Sequence, residues 1–358
     1  MNTRLAEAFP AGEFLADELD ARGWTQVAFA EILDRPAQFV SEIISGKKEI
    51  TRESAVQIAA ALGTSPEYWL NLQNTYLLWT QQGDSEVQSQ LQAVRLRARL
   101  QELAPISLLE SRGLIPSGDL DGQRRALERL FGVPDIFDEP PLLMAARRAN
   151  AHEPVMNTQL AWAAFARRQA DNIEVGPYST KGLAAVASQV TTMARVPDGV
   201  LSLPAAFAAV GVRLVYLEAF PSSKIDGCSL KHADGGPIIC VSGRGKRLDK
   251  VLFTILHEAG HIHSGHLEQE QYIVDDQERG PTLGLEQEAD QAAATWVLPG
   301  DLPPVPQRVT SQWIRSEAVE LGVHPIVLIG QLQKAGRLPW RTTLVRGAPP
   351  VTEYLAAW

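Results

Sequence analysis

The tightest constraint on this chain is the run from Leu248 to Ser264. Val251, Leu252, Phe253, Ile255 and Leu256 lead directly into His257-Glu258-Ala259-Gly260-His261. Helical periodicity puts the two imidazoles one turn apart on a single face, close enough to share one metal ion. Glu258 stands beside them and can polarise water, acting as base and then as proton shuttle. The preceding apolar residues demand burial of this helix, and a dry wall strengthens electrostatic interactions inside it.

The residues alone leave the third ligand open. His266 follows His261 with four residues between, a poor spacing for a third histidine on the same metal. His263 points off the ligand face. Glu286, Glu288 and Asp290 open a second helix, expected over about 286–297 and stopped by Pro299. A carboxylate there completes a two-histidine, one-glutamate zinc set that leaves a position open for chemistry.

Upstream, Val212–Leu217 alternates like a strand, and Pro237–Val241 reads as another after the Gly235-Gly236 turn. The run from Leu248 to His266, followed by Glu286-Gln-Glu-Ala-Asp290 and ending at Leu298-Pro299, resembles the ImmA/IrrE family of bacterial zinc peptidases. The resemblance implies a zincin-like domain, one Zn2+ per chain, Glu288 as third ligand and Asp290 orienting a ligand histidine. It implies that Pro237–Val241 is the edge strand along which an extended peptide pairs. Ala292 departs from the family's usual phenylalanine, which concerns packing. Cys228, in the expected turn Asp226–Leu230, is a candidate inhibitory fourth zinc ligand. Its thiolate would close the tetrahedron. Cys240 is expected to pack inside its strand.

At 358 residues the chain exceeds one ordinary core. Two cysteines rule out a disulfide framework and fit a reducing compartment, the cytoplasm. No apolar run of about 18 residues is present, so no membrane partner is expected. A net charge of −9 argues against a broad nucleic-acid footprint, and the first 80 residues are the most acidic part, with 11 acids against 6 bases.

Residues 1–80 read as five helices. They cover Ala11–Ala21, Thr25–Leu33, Ala37–Ser45 stopped by Gly46, Thr51–Leu62 stopped by Gly63, and a fifth opening at Ser65-Pro66-Glu67. Pro10-x-Gly-Glu-Phe-Leu15, Thr25-Gln26, Ser45-Gly-Lys-Lys48 and Ala59–Leu72 closely resemble the HigA-like (XRE-type) antitoxin repressors. The resemblance implies a helix-turn-helix whose third helix enters the major groove, with a dimer through this domain as one arrangement. Gln38 and Ser41 are the candidate base contacts, and Lys47, Lys48 and Arg52 the candidate phosphate contacts. Glu42 occupies a place where these repressors commonly carry a basic residue. It opposes phosphate contact and makes weak, salt-sensitive duplex binding the expectation. Tyr68, Trp69 and Trp79 are expected in core or interface positions.

A long helix is expected from about Ser85 to Glu110, within a helical middle region at 81–200. Arg95, Arg97, Arg99, Arg147-Arg148 and Arg167-Arg168 are read as solvated faces rather than as a nucleic-acid groove, since 14 acids offset 13 bases there. The whole is mainly α with a small β-sheet (α+β): a helix-turn-helix at 1–80, the middle region, and a peptidase domain at 201–358. The combined resemblance, which extends to peptidase regulators encoded beside anti-phage CBASS operons, implies signal-dependent cleavage of a partner transcriptional repressor. DNA enters as operator or as activating signal. The rival expectation is a DNA-binding antitoxin whose peptidase domain is not catalytic.

Overall fold

The computed structural model describes residues 7–144, 156–269, 272–275 and 284–358. It divides into two compact units, Met1–Leu96 and Arg97–Trp358.

In the first unit, α1 (Ala11–Arg22), α2 (Gln26–Ile32), α3 (Ala37–Ile44), α4 (Arg52–Leu62) and α5 (Pro66–Gly83) follow the sequence punctuation closely. The Thr25 and Ser65 hydroxyls accept the Ala28 and Tyr68 N–H groups, while Thr51 and Ser54 cap each other's backbone. Each satisfies donors that a helix start leaves orphaned. Gly23 and Gly63 end α1 and α4 in the left-handed region at φ 67° and 73°, where a side chain is disfavoured. Leu15, Phe29, Val40, Ile58 and Trp69 fill the core.

A further helix, α6 (Ser85–Leu103), is shorter than expected, because Pro105 cannot continue it. The boundary between the units falls inside α6, so the expected division at residue 80 moves to Leu96. Nor is the middle region a separate linker. Beyond α7 (Ile106–Ser111) and α8 (Leu120–Phe131), α9 (Asn157–Ala170) packs on the sheet of the second unit. Its Trp162 indole N–H donates to the Leu217 carbonyl at 3.1 Å.

Helices α10 (Thr180–Ala187) and α11 (Leu203–Ala209) lead into β1 (Arg213–Tyr216), β2 (Gly227–Lys231) and β3 (Pro237–Val241). After α12 (Leu248–His263), β4 (Tyr272–Asp275) completes a four-stranded sheet of order β1-β3-β2-β4. β3 runs parallel to β1 and antiparallel to β2, which in turn pairs antiparallel with β4. β3 is therefore interior and fully buried, not the edge strand expected of it. Among the described residues, β1 and β4 are the outer strands.

α12 lies against the sheet and sends Leu252, Ile255, Leu256 and Ala259 into one core with Leu214, Ile239 and Val241. Each buried aliphatic side chain of this kind contributes about 1.5–3 kcal/mol. α13 (Leu285–Trp296), α14 (Ser311–Glu320) and α15 (Pro325–Lys334) close the unit. The C-terminal segment packs on the same core through Val351 and Leu355, both buried. Among the described residues no helix is long and apolar enough to cross a membrane.

Candidate metal centre

α12 presents His257 and His261 at the required spacing, both buried. Their Nε2 atoms stand 3.0 Å apart, and Glu286 Oε2 lies 3.1 Å from the first and 3.5 Å from the second. Ligands about 2.05 Å from one zinc in a tetrahedron stand about 3.3 Å apart, so these three atoms fit such an ion. Among the described residues, His257, His261 and Glu286 form the cluster able to hold a metal.

The structure thus brings Glu286 to the two imidazoles, and it places Glu288, the expected third ligand, elsewhere. The reason is helical phase: two residues apart means about 200° around the axis, so only one of the two carboxylates can face α12. The phase is set where Ala289 packs onto Gly260, at a distance that leaves no room for a Cβ on Gly260. Asp290, four residues after Glu286, returns to the same face, and its Oδ1 lies 3.1 Å from His257 Nδ1. A carboxylate at that distance can orient the His257 ring. Glu288 instead meets His266, with Oε2 3.0 Å from Nε2, and His266 Nδ1 lies 2.9 Å from His261 Nδ1. His263 leaves the cluster and contacts the Trp296 ring.

The hydrogen positions follow from what carboxylates can do. Asp290 only accepts, so a His257 that donates to it from Nδ1 would have its Nε2 lone pair free for a metal. Glu288 only accepts, so a neutral His266 carries its proton on Nε2 and accepts at Nδ1 from His261 Nδ1–H. That leaves a lone pair on His261 Nε2. In that proton arrangement the two Nε2 lone pairs and the Glu286 oxygen would converge within 3.0–3.5 Å on a cation, whereas protonated Nε2 atoms donate to Glu286 instead. Burial pushes Glu286 up, but the contacts from His257 and His261 outweigh it and hold the carboxyl at about 2. Burial also pushes His261 down, towards the neutral form that a ligand needs. A metal ion bound there would meet both demands, supplying charge while leaving the imidazoles neutral.

Glu258 is fully buried and faces β2. The Ser229 hydroxyl lies 2.5 Å from its Oε2, and a Cβ on Gly227 would fall 2.8 Å from its Oε1. Sequence reasoning missed Ser229, whose strand it read as a turn. Cys228 is likewise in β2 and buried, not in a flexible turn. Strand side chains alternate, so with Ser229 turned to α12, Cys228 points to the other face. There it stands opposite Cys240, and burial followed by that neighbour pushes its thiol well up. The structure does not bring Cys228 to the metal ligands.

In the first unit, Gln38 and Ser41 lie exposed on α3, and Lys47, Lys48 and Arg52 are exposed beside it. Glu42 is held internally: Gln38 Nε2 donates to its Oε1 at 2.7 Å, and Lys48 Nζ lies 3.8 Å from its Oε2. Trp69 is core and caps its indole N–H on Thr64, while Tyr76 stacks on Trp79. Of the middle arginines, Arg99 is tied to the Ile136 and Asp138 carbonyls and Arg168 to Asp171. Arg147 and Arg148 lie outside the described residues.

A helix-turn-helix family profile matches residues 15–69. The Escherichia coli protein YddM, described as an uncharacterized HTH-type transcriptional regulator, is 31% identical over 67 residues, spanning 19% of this chain and 71% of that protein. Antitoxin HigA-1 of Vibrio cholerae is 42% identical over 69 residues, 19% of this chain and 65% of its own length. Among solved structures, an addiction module antidote protein of the HigA family from Coxiella burnetii is 35% identical, covering 21% of this chain and 82% of that one with a TM-score of 0.20. The chain belongs, through its N-terminal unit, to the helix-turn-helix regulators. That unit is a DNA-binding helix-turn-helix of the HigA antitoxin-repressor type.

Proposed function

We propose that the second unit is a zinc endopeptidase, and that the chain cleaves a partner transcriptional repressor to induce a stress or defence operon. The observation that carries this reading is the convergence of His257 Nε2, His261 Nε2 and Glu286 Oε2 on the helix that also carries the buried Glu258. A zinc ion held by those three atoms would supply Lewis acidity to the carbonyl of a scissile amide. Glu258, which accepts from the Ser229 hydroxyl, would take a proton from water and return it to the leaving amine. Asp290 holds the His257 ring in orientation. An extended peptide would pair along an outer strand, β1 or β4, since β3 has both neighbours filled. The helix-turn-helix brings DNA to the same chain, as operator or as signal, and is the element through which a dimer would form. The resemblance to regulators beside CBASS operons makes a phage-defence repressor the favoured substrate.

Co-expression with the neighbouring repressor tests this, comparing wild type with Glu258→Gln. The wild type should fragment the repressor under inducing conditions. The variant should keep its zinc while cleavage falls by about 10²–10⁴. Equal cleavage by the two would favour the second reading, a HigA-like DNA-binding regulator with a non-catalytic second unit, which the N-terminal family membership supports.

A further inference from the structure

His266 is 1% exposed, and neither of its nitrogens is idle. Gly265, at φ 76°, turns the chain after α12 and brings His266 back beneath His261. Its Nδ1 then lies 2.9 Å from His261 Nδ1, and its Nε2 lies 3.0 Å from Glu288 Oε2 on α13. A histidine serving only as filler would not place both ring nitrogens on polar partners. Nor is His266 a metal ligand, since its ring nitrogens point to His261 Nδ1 and Glu288 and not to the His257–Glu286 side.

We propose that His266 is a positioning residue for the metal centre. Together with Glu288 it forms a two-histidine relay that fixes the proton of His261 on Nδ1 and aims the Nε2 lone pair at the cation. The inference rests on the metal-site reading of the second unit. The relay runs from the Glu288 carboxylate through His266 Nε2–H, then from His266 Nδ1 to His261 Nδ1–H, and so to His261 Nε2. His257 is held by one carboxylate directly, through Asp290. His261 is too deep for that, being fully buried, and reaches a carboxylate through a second imidazole. Glu288, 62% exposed at its side chain, is the solvent end of this chain. Without His266 the Nδ1 of His261 loses its acceptor, and the tautomer that blocks Nε2 with a proton becomes competitive.

The test uses full-length protein and two probes, zinc affinity by chelator competition and imidazole 15N spectra of the metal-free form. Wild type should hold one zinc per chain and show His261 protonated on Nδ1. His266→Leu, of similar bulk, should bind zinc about 10–100-fold more weakly and show mixed His261 tautomers. His266→Asn can still accept from His261 Nδ1–H at its amide oxygen, and should recover most of the affinity. Unchanged affinity in His266→Leu would overturn the relay, as would equal loss in the leucine and asparagine variants, which marks a packing role alone. The spectra need no metal. If wild type takes up no zinc, the metal reading fails, and the His261 tautomer still decides the relay: a proton on Nε2 in wild type overturns it.

Discussion

Gly260 and Ala289 pack so closely that a Cβ on Gly260 would lie 2.7 Å from the Ala289 carbonyl oxygen. This contact fixes the rotation of α13 against α12, and the rotation decides which carboxylate reaches the histidines. Ala289 and Ala293 give α13 a flat, buried face there. Gly260→Ala must push the helices apart, and such overpacking costs about 1–3 kcal/mol. We expect a lowered melting temperature together with zinc affinity weakened more than stability alone explains. Thermal melts and chelator competition on the same samples check this. Unchanged zinc affinity would show that the phase of α13 is set elsewhere.

The phase argument also orders the acidic side chains. Glu286→Gln should lose the metal, because an amide oxygen is a poor replacement for a carboxylate between two imidazoles. Glu288→Gln should retain one zinc per chain with weakened affinity, since it acts only through His266. Metal content after gel filtration distinguishes them, and the reverse order would restore Glu288 as ligand.

Much of this was legible in the sequence, for local reasons. The caps Thr25, Thr51 and Ser65 and the stops Gly23 and Gly63 act within a turn of chain, so the first unit was readable nearly residue by residue. The apolar run at 251–256 announced a buried helix, and α12 extends over Leu248–His263. The rest depended on contacts distant in sequence. Nothing local in Gly227–Lys231 marks a strand, because its identity comes from pairing with β3 and β4. Glu286 and Glu288 are chemically alike, and only packing of Ala289 on Gly260 separates them. His266 was read for its spacing from His261 along one helix, but the turn at Gly265 puts it on a different path.

Cys228 shows how one misread strand changes a function. Placed in a loose turn, its thiol could swing to a metal; placed in β2, it is fixed opposite Cys240 on the face turned from α12. Cys228→Ala should therefore leave zinc affinity within about twofold, with a stability loss on the order of 1 kcal/mol for the small cavity. Signal-independent repressor cleavage by this variant would show instead that β2 rearranges and that the thiol does reach the metal.

The last expectation concerns Glu42 and the DNA-binding surface. Gln38 and Lys48, two of the candidate duplex contacts, are occupied by Glu42 instead. Lys48 Nζ also sits 5.0 Å from the Phe39 ring centre, which steadies it in that position. Docking on DNA must break the contacts to Glu42 and bring its carboxylate towards phosphates. Surface ion pairs are worth at most about 1 kcal/mol, so the restraint is modest, but repulsion from the backbone adds to it. Glu42→Gln should tighten binding to any duplex by roughly 3–10-fold at about 0.1 M salt, with a steeper salt dependence as Lys48 joins the phosphate contacts. Titrations of a labelled duplex at three salt concentrations measure both. Equal affinity and slope in wild type and variant would mean that α3 does not face the DNA.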